Sequence, residues 1–509
     1  MLRRITIGTV VVMTIVLAAS LLTRGADTPR RSALPGPTDE RAPAGLARFY
    51  HQQPDWRTCG RFVCTTLRVP LDYGDPTGTT IGLSVRMLPA EDGSTDRLLF
   101  VNPGGPGGSA VEYVPVLAEQ MSSRMREDLA VVGVDPRGVG SSAELECFGP
   151  RELDAYLERT PVPDDAAGER AWMQGPRRLS EACRRESGPI VDHMSTRESA
   201  RDLDVARAAL GQRRLTYYGA SYGTQLGATY ADLFPSRAGR LVLDGGVDVG
   251  LRRRAVLTEQ TRALQRELET FLGWCSRRDD CPLSKNRAVA QQQIAEVVAD
   301  AARKPLASDG DLRAAREATV LRGMAFALSA RRTWPALVVA LTRADFDDGT
   351  AFRQLDDAYV QRDADGRYDN NSVPSGVAVR CLDDPTQVGA DEVRTALAPE
   401  LERISPVFGR YQAWQATLCT GWKARDDVQR TVAAQGAGPI IVLGTTRDPV
   451  TPYVWSERLA DDLASAVLVT RRGDGHTAYG RSACVDQRVE DLLLDGRAPR
   501  RDVVCGGRS

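Results

Sequence analysis

Ser221 stands between two glycines in Gly219-Ala220-Ser221-Tyr222-Gly223, the spacing of a sharp turn that exposes a nucleophilic hydroxyl. A serine attacks a carbonyl only when a neighbouring base takes its proton. The chain has 3 histidines, His51, His193 and His476, and His476 alone follows Ser221. Turns of this kind run in the order serine, acid, histidine, which makes His476, in the glycine-rich stretch RRGDGHTAYG, the candidate base. Asp448, which VLGTTRDPVTP places at the carboxyl end of the strand before the histidine strand, is the candidate acid that orients it. Asp474 is an alternative, but two residues from His476 it would strain to reach the ring. Asp461 and Asp462 fall in a helical pattern and read as a solvated face. A tetrahedral oxyanion needs backbone donors: one is expected from Tyr222, the other from the loop NPGGPGGSA, Asn102 to Ala110. The chemistry these residues could do together is acyl transfer through an acyl-enzyme. The pentapeptide alone is weak evidence. With 46 glycines in 509 residues it arises by chance about one time in five, so its context must carry the reading.

That context is a strand, a sharp turn and a helix. RLTYYGA reads as a strand entering the turn and YGTQLGATYADLF as the helix leaving it, its N-terminus aimed at developing negative charge. GLSVRML, Leu98 to Val101, Ala130 to Val134 and GRLVLDGGVD read as further strands, and STRESARDLDVARAALG as a helix ending at Gly211. Alternation of strand and helix predicts a parallel sheet with right-handed crossovers. The pattern breaks over residues 249–438, which are mostly helical, and strands return at GPIIVLGTTRDPVTP and SAVLVTRRGDGH. The division expected is a core over 46–248, a helical cap over 249–438 and the rest of the core over 439–509.

Formal net charge is −1, with 66 basic and 67 acidic residues, which argues against a nucleic-acid partner. Arg3 and Arg4 precede the uncharged apolar run Ile5 to Leu22, so residues 1–26 read as an export signal. The run is borderline for a bilayer span of about 20 residues, leaving an uncleaved anchor as the alternative. Membrane contact is expected only in that case. Residues 27–45, rich in Pro, Arg, Ala and Gly, read as a linker. The 10 cysteines fit an oxidising compartment, and the simplest pairing is sequential: 59–64, 147–183, 275–281, 381–419 and 484–505. Without a Cys-x-x-Cys and with so few histidines, zinc is disfavoured, and no metal or cofactor is expected.

PGGPGG, DPRGVGSS, GASYG, TTRDPVTP and GDGHTAYG, in this order, resemble the prolyl-iminopeptidase-like serine peptidases of the α/β-hydrolase fold. Among these the chain is most similar to the secreted bacterial tripeptidyl aminopeptidases, over nearly its whole mature length, including VRCLDD in the cap. Prolyl iminopeptidases begin the first loop with histidine; here it is Pro103, which weakens any claim of prolyl specificity. The resemblance implies Ser221 as nucleophile, Asp448 as acid, His476 as base, and Tyr222 with Gly105 or its neighbour Gly104 as oxyanion donors. It implies substrates with free N-termini, recognised through cap carboxylates, for which Asp383 and Asp384 are conceivable. Asp135 and Arg137 read as structural. The function expected is a secreted, monomeric serine exopeptidase releasing short peptides, with tripeptides foremost. A carboxylesterase or processing endopeptidase using the same triad is the alternative, and a binding protein on a hydrolase scaffold a third reading.

Overall fold

The computed structural model describes residues 34–310, 313–423 and 431–506. The export segment read over 1–26 and the first part of the 27–45 stretch lie outside them. The described part of that stretch is tied down, with Thr38 donating to Ala208 O and Glu40 paired with Arg207 and Arg237.

The short apolar runs form strands β1 Arg57–Cys59, β2 Phe62–Pro70, β3 Thr80–Leu88, β4 Leu98–Asn102, β5 Ala130–Val134, β6 Leu215–Ala220, β7 Ala238–Asp244, β8 Ile440–Arg447, β9 Ala466–Asp474 and β10 Val503–Gly506. They make one sheet in the order β1-β2-β3-β5-β4-β6-β7-β8-β9-β10. From β5 to β10 every neighbouring pair is parallel, while β1, β2 and β3 pair antiparallel with one another and β3 with β5. The all-parallel expectation is therefore corrected at one edge. The connections from β1 to β2 and from β2 to β3 are turns, too short to hold a crossover helix, and a short turn reverses the chain. Central β4 and β5 are buried at every position, as expected where helices cover both faces.

Helices α1 Ala110–Gln120, α2 Ala166–Ser187, α3 Thr196–Ala209 and α4 Tyr222–Leu233 connect the strands before β7. Between β7 and β8 the chain is mostly helical and includes α5 Arg253–Cys275, α6 Glu317–Leu328 and α7 Ser372–Asp383; α8 Ala483–Asp495 follows β9. Much of the inserted segment has its own core around Phe271, Trp334, Phe352 and Phe408. Two features bind it to the rest. α2 packs against it through Trp172, whose ring lies 6.5 Å from that of Trp414 and whose Nε1 donates to Thr417 Oγ1 at 2.8 Å. Val377, Ala378 and Leu382 of α7 join the main core that contains Tyr222. The helical layer over the sheet is thus drawn from both sides of β6.

All five disulfides are sequential: Cys59–Cys64, Cys147–Cys183, Cys275–Cys281, Cys381–Cys419 and Cys484–Cys505. Cys381–Cys419 anchors the C-terminal end of α7. Arg137 is fully buried and holds Asp202 through two bonds of 2.7 Å while donating to the carbonyls of Pro70 and Leu71. Asp135 accepts from Ser109 Oγ and Val111 N at the start of α1; burial pushes its carboxyl up to about 6 despite these bonds. Both residues brace loops at the carboxyl end of the sheet.

Candidate active site

β6 delivers Ser221 at φ 56°, ψ −126°, and α4 begins at the next residue. A left-handed backbone at a residue other than glycine is strained, and such strain gathers where a side chain must be presented. The flanking glycines make the turn possible by close approach. A Cβ on Gly219 would lie 2.4 Å from Gly223 O, and one on Gly223 would lie 2.7 Å from Asn102 O. The loop after β4 meets the turn in the same way. Gly104 has φ +95°, and a Cβ there would sit 2.4 Å from Ala220 O and 2.9 Å from both Ser221 Cβ and Tyr222 N. Gly104, Ser221 and the Tyr222 amide therefore converge on one point. The N–H of Gly104 donates to Asn102 Oδ1 at 2.9 Å, which leaves the amides of Gly105 and Tyr222 as the candidate oxyanion donors. Tyr222 N–H belongs to the first turn of α4, where helical amides have no partner within the helix. The Tyr222 hydroxyl lies 2.5 Å from Thr196 Oγ1, and the ring is buried as a structural anchor.

β8 ends at Arg447, and Asp448 follows it as a buried carboxylate. Its Oδ1 accepts from the amides of Val450 and Thr451 at 2.8 and 2.9 Å, and its Oδ2 from Thr451 Oγ1 at 3.0 Å. His476 lies on the loop after β9 with Nδ1 2.9 Å from Asp448 Oδ2. The adjacent Thr477 is a second strained residue, at φ 67°. The ring packs beside the turn after β7, where a Cβ on Gly245 would be 3.3 Å from His476 Cε1. Burial opposes charge on His476, but the Asp448 carboxylate outweighs it through charge and hydrogen bond, aided by Asp244, and the ring pKa is raised. The side chain keeps 19% of its surface exposed, enough for a reacting group to reach it. No hydrogen bond among the described residues joins Ser221 Oγ to the ring; such bonds are commonly long at rest and tighten on substrate binding.

The alternatives fall elsewhere. Asp474 pairs with Arg447 and Arg331. Asp461 and Asp462 lie exposed at the end of a helix. Asp383 accepts from Thr196 and Gln225, and Asp384 from Arg253 and Thr386, so both carboxylates hold helices in place. His193 bonds Glu198, and His51 lies 2.8 Å from Glu40 O. His193, Glu198 and Asp72 could bring three ligand atoms within 4.8 Å of one another. The Arg137 guanidinium, 3.7 Å from Glu198, already supplies the positive charge there.

Two contributors escape sequence reasoning. Thr451 joins acid and base, lying 3.3 Å from His476 Nδ1 as well as on Asp448. Asp244, the last residue of β7, is fully buried, and burial raises its pKa. Its carboxylate accepts from Ala478 N at 2.8 Å, Tyr479 N at 3.0 Å and Tyr218 OH at 2.7 Å, while its carbonyl accepts from Ser221 N at 2.8 Å. One residue thus ties the histidine loop to the serine turn. Nothing in LVLDGG distinguishes it from an ordinary strand end. Asp244→Asn leaves one of three converging donors facing an amide N–H and removes a charge that helps raise the His476 pKa. The expected result is a kcat/KM lower by roughly 10- to 100-fold. The acid limb of its pH profile should also move to lower pH, because the imidazolium loses a stabilising neighbour. Rates measured across pH check both.

Comparison with known proteins agrees with this geometry. Residues 405–505 match the TAP-like protein family. The chain is 31% identical over 471 residues to the serine protease Hip1 of Mycobacterium tuberculosis, covering 89% of each chain. It is 32% identical over 470 residues to the tripeptidyl aminopeptidase of Streptomyces lividans, covering 89% of this chain and 85% of that one. It is 33% identical over 478 residues to carboxylesterase B of Mycobacterium tuberculosis, covering 89% and 90%. A strained serine turn, an Asp–His pair on the loops after β8 and β9 of the core sheet and this similarity along most of the chain lead to one assignment: the protein is a serine hydrolase of the TAP-like family, with the α/β-hydrolase fold and a helical cap.

Proposed function

We propose that this protein is a secreted serine exopeptidase that releases short peptides, tripeptides foremost, from the free N-termini of peptides and proteins, and that it acts as a monomer. In this reading His476 takes the proton of Ser221 as Oγ attacks the scissile carbonyl. Asp448 holds the ring with Nδ1 protonated and stabilises the imidazolium. Gly105 and Tyr222 amides receive the oxyanion. His476 then protonates the leaving amine, and water resolves the acyl-enzyme. The observation that carries the exopeptidase reading is the seating of the helical layer. Ser329, at the end of α6, accepts from His476 N at 2.8 Å. α7 presses on the donor loop, where a Cβ on Gly107 would lie 2.5 Å from Ser372 O. Helices resting on both sides of the nucleophile favour the end of a chain over its middle. Five disulfides support an extracytoplasmic site of action. Among the described residues no helix is long and apolar enough to cross a membrane, so an anchor, if retained, is Ile5 to Leu22.

The similarity to a carboxylesterase favours a second reading, ester hydrolysis, because ester and amide cleavage share this machinery. A panel of peptides with free and blocked N-termini, set beside 4-nitrophenyl esters, separates the two. Cleavage of free-ended peptides alone is expected; equal cleavage of blocked peptides would sink the exopeptidase assignment.

A further inference from the structure

Arg380 lies in α7, the helix that presses on the donor loop. Its guanidinium donates to Gly105 O at 2.8 Å, so it stands beside the residue assigned to receive the oxyanion. The side chain is exposed to water, yet burial lowers its pKa, opposed by the nearby Tyr359 and Tyr222. No carboxylate among the described residues forms an ion pair with it. The two aspartates that follow it, Asp383 and Asp384, are committed to Thr196, Gln225, Arg253 and Thr386. Tyr359 is itself 53% exposed and touches Phe326, ring centroids 6.4 Å apart. Phe326 lies one turn before Ser329, the residue bonded to His476 N. Tyr359 thus lies near both Phe326, one turn from the residue bonded to His476, and Arg380 at the donor loop.

Arg380 presents an exposed guanidinium beside the donor loop, and a guanidinium is shaped to grip a carboxylate through two parallel bonds. We propose that Arg380 is a specificity-determining residue that binds a carboxylate of the substrate close to the reacting carbonyl. The cleft would then select acidic substrates. This rests on the serine-hydrolase site described above and deepens the proposed function by naming a substrate class. The carboxylate can come from an acidic side chain or from a free C-terminus near the scissile bond.

Three substrate pairs test it by the ratio of kcat/KM for the acidic member to that for the neutral one. The first is a tripeptide 4-nitroanilide with Glu or Gln next to the scissile bond. The second is a tetrapeptide with a free or amidated C-terminus. The third is the 4-nitrophenyl half-ester of glutaric acid against 4-nitrophenyl valerate. A charge-assisted bond predicts a ratio of roughly 10 to 100 in at least one pair. Arg380→Gln should bring that ratio to about one, and Arg380→Lys should keep part of it. Because each ratio is taken within one preparation, partial unfolding of a variant cancels. Ratios near one in all pairs for the unaltered protein, or a ratio unchanged by Arg380→Gln, overturn the proposal. Preference with the half-ester and no cleavage of the peptides would keep Arg380 in this role and defeat the peptidase reading. Peptide cleavage without preference would do the reverse.

Discussion

Ser221→Ala is expected to lower kcat by about 10⁴- to 10⁶-fold on every substrate, with the fold unchanged. The size follows from the loss of the covalent route: without Oγ, His476 has nothing to activate but water. The residual rate would come from the donor amides and from substrate positioning. The fold should tolerate the change because the features that hold the turn are backbone features. The Ser221 amide still donates to Asp244 O, the glycines still allow close approach, and alanine at φ 56° is no more strained than serine. Kinetics paired with thermal unfolding decide it. Activity within about tenfold of the parent would remove Ser221 from the mechanism. Labelling by an active-site serine phosphonate should vanish in the same variant, and absence of labelling in the parent would favour a binding role on a hydrolase scaffold.

Asp448→Asn is expected to cost about 10⁴-fold in kcat, with little change in KM. Two backbone amides, from Val450 and Thr451, point at Oδ1. An asparagine keeps them satisfied by placing its carbonyl oxygen there, which turns its NH₂ toward His476 Nδ1. The ring then accepts at Nδ1 and carries its proton on Nε2, where it cannot take one from serine. The pH profile supplies the second readout. The Asp448 charge is the main force raising the His476 pKa against burial. Its removal should move the acid limb of kcat/KM to lower pH, since the imidazolium gives up its proton more readily. A limb that stays in place would mean that Asp448 does not partner the ring.

The Asp448–His476 pairing was legible because chain order and scarcity left few choices: one downstream histidine, and two acids at strand ends near it, of which Asp474 lies too close in sequence to reach the ring. The strands were legible where both faces are buried, since β4, β5 and β8 are runs of Val, Leu and Ile. The edge was misjudged because Phe62–Pro70 is half-buried and follows a turn, and pairing direction depends on connection length rather than on the strand's own residues. The short β10 owes its place to Val503–Gly506 pairing with β9 and to Cys505 bonded to Cys484.

By itself the sequence singled out the candidate nucleophile, base and acid and indicated the class of fold. Each of these is set by local chemistry: a residue type, its neighbours within a few positions, or its order along the chain. Only the tertiary structure shows that the Gly104 amide is bonded to Asn102, which separates it from Gly105 as a candidate oxyanion donor. It also decided that Asp244 ties the serine turn to the histidine loop, whose Ala478 is 234 residues away, that α2 shares the roof with the inserted helices, and that Arg380 stands beside the donor loop 275 residues away. Such contacts depend on where distant segments come to rest when their apolar faces are buried together, and no local pattern records that.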